Sequence, residues 1–268
     1  MLKIRWSVFP KFFPNLSAPE LAALVREVGL DTTNLVIRAG FPVTPEKLRE
    51  QIGPFVKGLR AEGLDITFAT TDFRAEDLTK DDTPLALLAE NGIKEFRLDH
   101  FTAPDKDVRK ALTESRGKLE RLVKVCERRG VRAIYQLHHG TIVPSPSAVY
   151  PLVAGLPARW IGVELDPGNQ THEGTEAWGR SAYLLNEYLV AVAVKDTILK
   201  QGANGKWQRP WIPCSEGITD WPAVFFALSN INFDGIAVFM PFYDDKDPAA
   251  QRLKLKKEVA FIRSIATR

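Results

Sequence analysis

The stretches VRAIYQLHHG (residues 131–140) and WIGVELDPGN (residues 160–169) decide the fold. Residues 131–136 are mostly apolar and β-rich, and polar side chains gather only from Gln136 onward, which reads as a buried strand opening into a loop. A Pro/Ser-containing stretch then leads to a short helix near 147–154, and residues 160–165 form the next strand. Strand, helix and strand in that order make a parallel pair, because parallel neighbours need a crossover rather than a tight hairpin.

The same unit repeats in both directions. Upstream, strands are expected at 3–9, 33–38, 64–69 and 93–98. Ser17-Ala-Pro-Glu20 is a capping box that starts a helix running to about Val28, before Gly29. Thr44-Pro45-Glu46 starts the next helix with proline at its first position, and Gly63 ends it. Thr83-Pro84 opens a short helix that Gly92 closes, and a long helix spans about 107–129, with Gly117 weakening its middle. Downstream come a helix at 176–187, a strand at 188–194 and a loop of about 20 residues carrying Trp207 and Trp211. Thr219-Asp-Trp-Pro222 starts another helix, residues 235–239 form the last strand, and a final helix covers about 248–265. Eight βα units at a mean spacing of about 33 residues predict an α/β fold, a single (β/α)8 TIM barrel covering residues 1–268 as one domain. A doubly wound open sheet is the rival, and the chain has neither GxGxxG after its first strand nor GxxxxGK[ST] anywhere.

The composition is that of an ordinary globular chain: 268 residues, 45% hydrophobic and 26% charged, which excludes disorder, collagen and coiled coil. No apolar run approaches the roughly 20 residues of a membrane helix, and residues 1–14 lack a signal-peptide core, so no membrane partner is expected. Two cysteines, Cys126 and Cys214, make no disulfide framework and suit the reducing cytoplasm, the expected location. A formal charge of +3 does not argue for nucleic acid.

In a TIM barrel the chemistry sits at the C-terminal strand ends. The polar residues there are Ser7, then Arg38, then Thr70, Thr71 and Asp72, then Arg97, Asp99 and His100. They continue with Gln136, His138 and His139, with Glu164, Asp166 and Asn169, and with Lys195 and Asp196. The last strand ends in Phe239, Met240 and Phe242, with Tyr243, Asp244 and Asp245 just beyond. Side chains alternate along a strand, so Gln136 with His138, Glu164 with Asp166, and Ala193 with Lys195 can share the barrel axis. Two adjacent histidines before Gly140 point to function for His138, whereas a lone histidine at a loop more often caps a carbonyl. Lys195 and Asp196 read equally as a solvated pair or as an anion-binding or basic lysine at the strand's open end. Trp207 and Trp211 suit a lid that sheds water from the mouth, or an anchor for an irregular loop. The N-terminal Trp6, Phe9, Phe12 and Phe13 suit packing at the barrel bottom or a subunit contact, and so a homo-oligomer.

At VRAIYQLHHG (131–140), VELDPGN (163–169), VAVAVKD (190–196), CSEGITDW (214–221) and GIAVFMPFY (235–243), the chain resembles the sugar phosphate isomerase/epimerase superfamily, the xylose-isomerase-like barrels. The resemblance covers most of the chain, and a subgroup with Gln-x-His (Gln136, His138) and Glu173-Gly174 before Trp178 is most similar. It implies a divalent metal (manganese, magnesium or zinc) and an isomerisation or epimerisation of a sugar. It also implies metal ligands of Glu, Asp, His and Glu on the last four strands, where this chain has Gln136, Asp166, Ala193 and Met240. Only Asp166 is retained, so the usual metal cage is not expected: alanine cannot ligate, and a thioether is too soft for magnesium or manganese. His138, His139 and Asp166 are the alternative ligand set for a divalent metal.

Without a metal, protein donors must carry the charge of an enediolate. His138 is expected as acid/base and Lys195 as charge stabiliser, with Asp166 orienting or sharing the base role and Glu164 a further candidate base. Gln136, His139, Asn169, Glu173, Arg38, Arg97 and Trp211 are expected to bind the substrate. The function expected is proton abstraction next to a carbonyl of a small sugar or keto-sugar, unphosphorylated because no phosphate loop is present. The alternative is a non-catalytic sugar-binding or regulatory barrel. A metal-dependent endonuclease needs a richer His/Glu/Asp cluster and a basic face than four histidines and +3 provide.

Overall fold

A computed structural model describes residues 2–243 and 247–267. Among them, eight parallel strands close into a barrel: β1 (Arg5–Val8), β2 (Thr32–Ile37), β3 (Asp65–Thr71), β4 (Glu95–Arg97), β5 (Arg132–Gln136), β6 (Ile161–Leu165), β7 (Leu189–Val194) and β8 (Ile236–Phe239). Each strand pairs with its neighbour in sequence, and β8 closes on β1 with Arg5 opposite Ile236 and Val8 opposite Phe239. The predicted (β/α)8 barrel is the observed fold.

The helices ring the barrel: α1 (Ala18–Glu27), α2 (Leu48–Ala61), α3 (Ala75–Leu78), α4 (Thr83–Glu90), α5 (Val108–Arg129), α6 (Pro146–Val153), α7 (Pro167–Glu173), α8 (Trp178–Leu185), α9 (Trp221–Asn230) and α10 (Pro248–Ala266). The capping box forms at α1, where the Ser17 backbone N–H donates to Glu20 at 2.8 Å. Helix α2 starts at Leu48, after the Pro45 expected at its first position; Thr44 instead donates its backbone N–H to Gln51 Oε1 at 2.9 Å, which holds 44–47 as a turn. Gly117 does not break α5. Two short helices, α3 and α7, were not expected. Asp166-Pro167 is an ordinary start signal for α7, with aspartate capping and proline at the first position.

The barrel interior holds Val36, Phe68, Ile134, Ala191, Ala193, Val238 and Met240. It also holds a polar knot, with Ser7 Oγ 3.0 Å from both Asn34 Oδ1 and Thr67 Oγ1, and Asn34 Nδ2 donating to Thr70 Oγ1 at 3.1 Å. These buried groups satisfy one another, so Ser7 and Thr70, read as strand-end candidates, bond inside the barrel. Among the described residues no helix is long and apolar enough to cross a membrane.

Candidate active site

The chemistry gathers where β5, β6 and β7 end. Asp166 follows β6 and caps α7, its Oδ1 accepting the Asn169 backbone N–H at 2.9 Å. Its Oδ2 accepts from Gln136 Nε2 at 2.6 Å and from Asn169 Nδ2 at 2.7 Å, and lies 3.1 Å from Lys195 Nζ. Lys195 also donates to Asn169 Oδ1 at 2.9 Å. Asp166 and Lys195 are 0% and 3% exposed, so the pair is buried rather than solvated. Glycine is required at 168: a Cβ there would lie 2.6 Å from the Lys195 carbonyl oxygen and 2.8 Å from its Cγ. The first turn of α7 is thereby pressed against the lysine stem.

Aromatic rings cover the ammonium. Lys195 Nζ lies 4.6 Å from the Trp211 ring centre and 4.9 Å from that of Phe242. Phe12 packs edge-on against Phe242 at 4.8 Å. Burial lowers the Lys195 pKa, and the Asp166 carboxylate opposes that shift. A cation boxed by π faces and paired with one carboxylate is a desolvated, directed charge.

Glu164 lies one inward position below Asp166 and is fully buried. Arg97 Nη1 is 3.6 Å from its Oε2, too long for a hydrogen bond, and neither Glu164 oxygen finds a donor among the described residues. Burial pushes the Glu164 carboxyl up to about 7 against the pull of Arg97. Arg97 and Arg38 both face the Phe9 ring, at 5.1 and 5.7 Å, and Arg38 pairs with the exposed Asp72 at 2.6 Å.

All four histidines of the chain stand in one column along the mouth. Ring centres are 4.6 Å apart from His100 to His138, 4.6 Å from His138 to His139 and 4.3 Å from His139 to His172; His172 meets Trp211 at 4.6 Å. His138 Nδ1–H donates to the His139 carbonyl at 2.7 Å, which leaves Nε2 as the acceptor nitrogen. His139 Nδ1–H donates to Asn169 Oδ1 at 2.8 Å. Burial lowers the pKa of His138, lowers His172 to about 4 and lowers His100 to about 2. At neutral pH those three rings are therefore uncharged.

Gln136, His138, His139, Asn169, Asp166, Lys195 and Trp211 are thus brought together, with Arg97 beneath them. Glu173 is exposed and accepts the Gly140 N–H, tying α7 to the loop after β5. Trp207 is 66% exposed and takes no part in the cover. Phe9 and Phe12 follow the C-terminal end of β1 and line the mouth, which corrects their expected place at the barrel bottom. Asp196 is an anchor rather than a solvated group: it accepts from Thr197 N at 2.8 Å, Thr219 Oγ1 at 2.8 Å and Trp221 Nε1 at 2.9 Å. A Cβ on Gly217 would fall 2.0 Å from the Asp196 carboxylate carbon, so the loop after β7 closes directly over this carboxylate. Asp244 and Asp245 lie outside the described residues.

Reading the sequence missed Glu258, which is fully buried in α10. It accepts the Cys214 backbone N–H at 2.9 Å and the Tyr243 hydroxyl, so one carboxyl ties the loops that carry Trp211 and Phe242. A glutamate on an otherwise amphipathic helix gives no local sign of this; an inward position on α10 was the only available signal.

The donor set does not suit a divalent cation. Asp166 has its oxygens taken by Gln136, Asn169 and Lys195, and the Lys195 ammonium itself sits against the carboxylate that a metal would need. Among the described residues no group of three or more His, Cys, Asp or Glu is arranged to hold a metal ion. The imidazoles of His138, His139 and His172 lie face to face, with ring centres 4.6 and 4.3 Å apart.

A closed parallel barrel with its polar residues at the C-terminal mouth is the architecture of the xylose-isomerase-like proteins. The profile of the family described as xylose isomerase-like TIM barrel matches residues 22–265, and the chain belongs to that family. Solved structures share the fold at low identity. A D-psicose 3-epimerase from Clostridium cellulolyticum H10 is 13% identical with a TM-score of 0.74, over 98% of this chain and 99% of that one. A 3-keto-D-glucoside 4-epimerase from E. coli is 16% identical with a TM-score of 0.71, over 98% and 100%. The IOLI protein with a bound zinc atom is 15% identical with a TM-score of 0.77, over 97% and 98%. No curated protein matches the chain in sequence.

Proposed function

We propose that this chain is an isomerase- or epimerase-like enzyme that removes a proton next to the carbonyl of a small sugar or keto-sugar, with a protein cation where related barrels use a metal. The observation that carries this reading is the buried Lys195 ammonium, held by Asp166 and Asn169 at the barrel mouth. Removing an α-proton builds negative charge on the carbonyl oxygen, and a preorganised, desolvated cation stabilises that charge strongly. His138 is the acid/base: its Nδ1 is fixed on a carbonyl, its Nε2 accepts, and it is uncharged at neutral pH. Asp166 orients Lys195, and Gln136 and Asn169 hold Asp166 in turn. Arg97 and Arg38, with Trp211 over the ammonium, complete the binding surface for a hydroxylated ligand. Sugar epimerases among the proteins of like fold support the substrate class.

A second reading is a barrel that binds a sugar without converting it. It is favoured by the loss of three of the four ligands that the resemblance implies, replaced here by Gln136, Ala193 and Met240. Incubation of aldoses and ketoses in D2O separates the two. Deuterium entering the carbon next to the carbonyl, and lost in His138→Ala, supports the enzyme. Ligand-dependent thermal stabilisation with no exchange supports the binder.

A further inference from the structure

Beside the mouth, between the loops after β3 and β4 and the start of α5, lies a cleft of about 500 Å³. This volume falls within the range of small-molecule sites. The cleft is joined to the mouth through His100, which lines it and whose ring centre lies 4.6 Å from that of His138. His100 Nδ1 is buried and finds no partner among the described residues.

The lining selects a ligand class. Arg74 and Lys118 share Glu76, at 2.5 and 3.3 Å, and Lys110 lies 3.8 Å from Glu114. Asp99 and Asp107 add carboxylates, so four carboxylates face three cations. Such a wall has no excess of cations to hold an anion such as phosphate, and its charges are too dense for an apolar group. Closely paired donors and acceptors with little net field suit a neutral, polyhydroxylated unit. Phe101, 7% exposed and stacked on Tyr135 at 5.2 Å, adds a small apolar surface to this polar lining.

We infer that this cleft is a second sugar subsite, which takes the non-reacting unit of a disaccharide or glycoside whose reacting ring sits against His138 and Lys195. The inference rests on the function proposed above and names its substrate as a two-unit carbohydrate. The unit in the cleft passes over His100, and the unpaired Nδ1 of that residue bonds to its hydroxyls.

The test compares binding by titration calorimetry and deuterium exchange by NMR. The probes are fructose against maltulose and lactulose, and glucose against maltose and cellobiose. Ala111→Trp on α5 and Ala103→Trp on the preceding loop fill the cleft from two sides and touch nothing at the mouth. At least one disaccharide is expected to bind about tenfold or more tightly than its monosaccharide, and either variant removes that advantage while leaving monosaccharide binding unchanged. Equal binding of every pair overturns the inference, as does an advantage that survives both variants. The outcomes separate the two proposals. Cleft-dependent disaccharide binding without exchange retains the subsite and sinks the chemistry, whereas monosaccharide exchange without a disaccharide advantage does the reverse.

Discussion

Replacing Lys195 by methionine keeps the length and apolar bulk of the side chain and deletes only the ammonium. In the native protein Nζ lies 3.1 Å from Asp166 Oδ2 and 2.9 Å from Asn169 Oδ1, with both charged side chains almost fully buried. Breaking one partner of a buried pair costs about 3–5 kcal/mol, because the other charge is left uncompensated. Asp166 retains three donors, from Gln136 and from the backbone and amide of Asn169, so Lys195→Met is expected near the lower end, about 3 kcal/mol. Asp166→Asn removes the charge that the lysine opposes, and the double variant is expected to cost about 2 kcal/mol less than the sum of the singles. Urea unfolding at neutral pH reads all four proteins. The cost should change little with salt, since a buried pair is weakly screened. Exchange of substrate protons in D2O should fall by about 100-fold or more in Lys195→Met through loss of the oxyanion cation. An additive cycle, with Lys195→Met costing less than about 1 kcal/mol, would refute the claim that this pair organises the mouth.

Three further outcomes follow from the same contacts. Asp196→Ala should destabilise by about 2–4 kcal/mol, because Thr219, Thr197 and Trp221 lose their shared acceptor, and Trp221 fluorescence should shift red as its indole gains water. Glu258 sits at about 7 in the folded chain against an ordinary 4.5, so its contribution to stability is complete below pH 4.5 and is lost as pH rises through 7. Glu258→Gln should therefore remove up to about 3 kcal/mol of the fall in stability over that window, read as a flatter urea midpoint against pH; an unchanged slope would rule out Glu258 as its source. Gly168→Ala drives a methyl into the Lys195 backbone and should lower proton exchange more than tenfold by moving the ammonium, with thermal stability reduced by a smaller factor than in Lys195→Met. Full exchange activity in that variant would show that the lysine position is not set by α7.

The barrel was legible because its signals are local. The capping box at Ser17 and Glu20, the proline starts and the apolar runs of β5 to β7 each lie within a few residues, and their repetition leaves a parallel closed sheet as the economical solution. Strand parity also placed Gln136, Asp166 and Lys195 on one axis, where their side chains meet. Functions set by long-range packing were not legible. Asp196 follows Lys195 directly, yet one points into the mouth and the other anchors a loop more than 20 residues on, a division made by alternation and by the closure at Gly217. The histidine column draws on three separate segments, and Phe9 and Phe12 reach the mouth because β1 ends at Val8, a residue short of the strand expected.

The central claim is that an ammonium rather than a divalent ion supplies the charge at the barrel mouth. Manganese titration followed by electron paramagnetic resonance, with elemental analysis of protein purified without chelators, tests it most directly. The account predicts no stoichiometric metal and no saturable manganese site. It also predicts substrate-proton exchange that is unchanged by chelator. Near-stoichiometric manganese or zinc, with exchange abolished on its removal, would contradict it and make Asp166, His138 and His139 the candidate ligands.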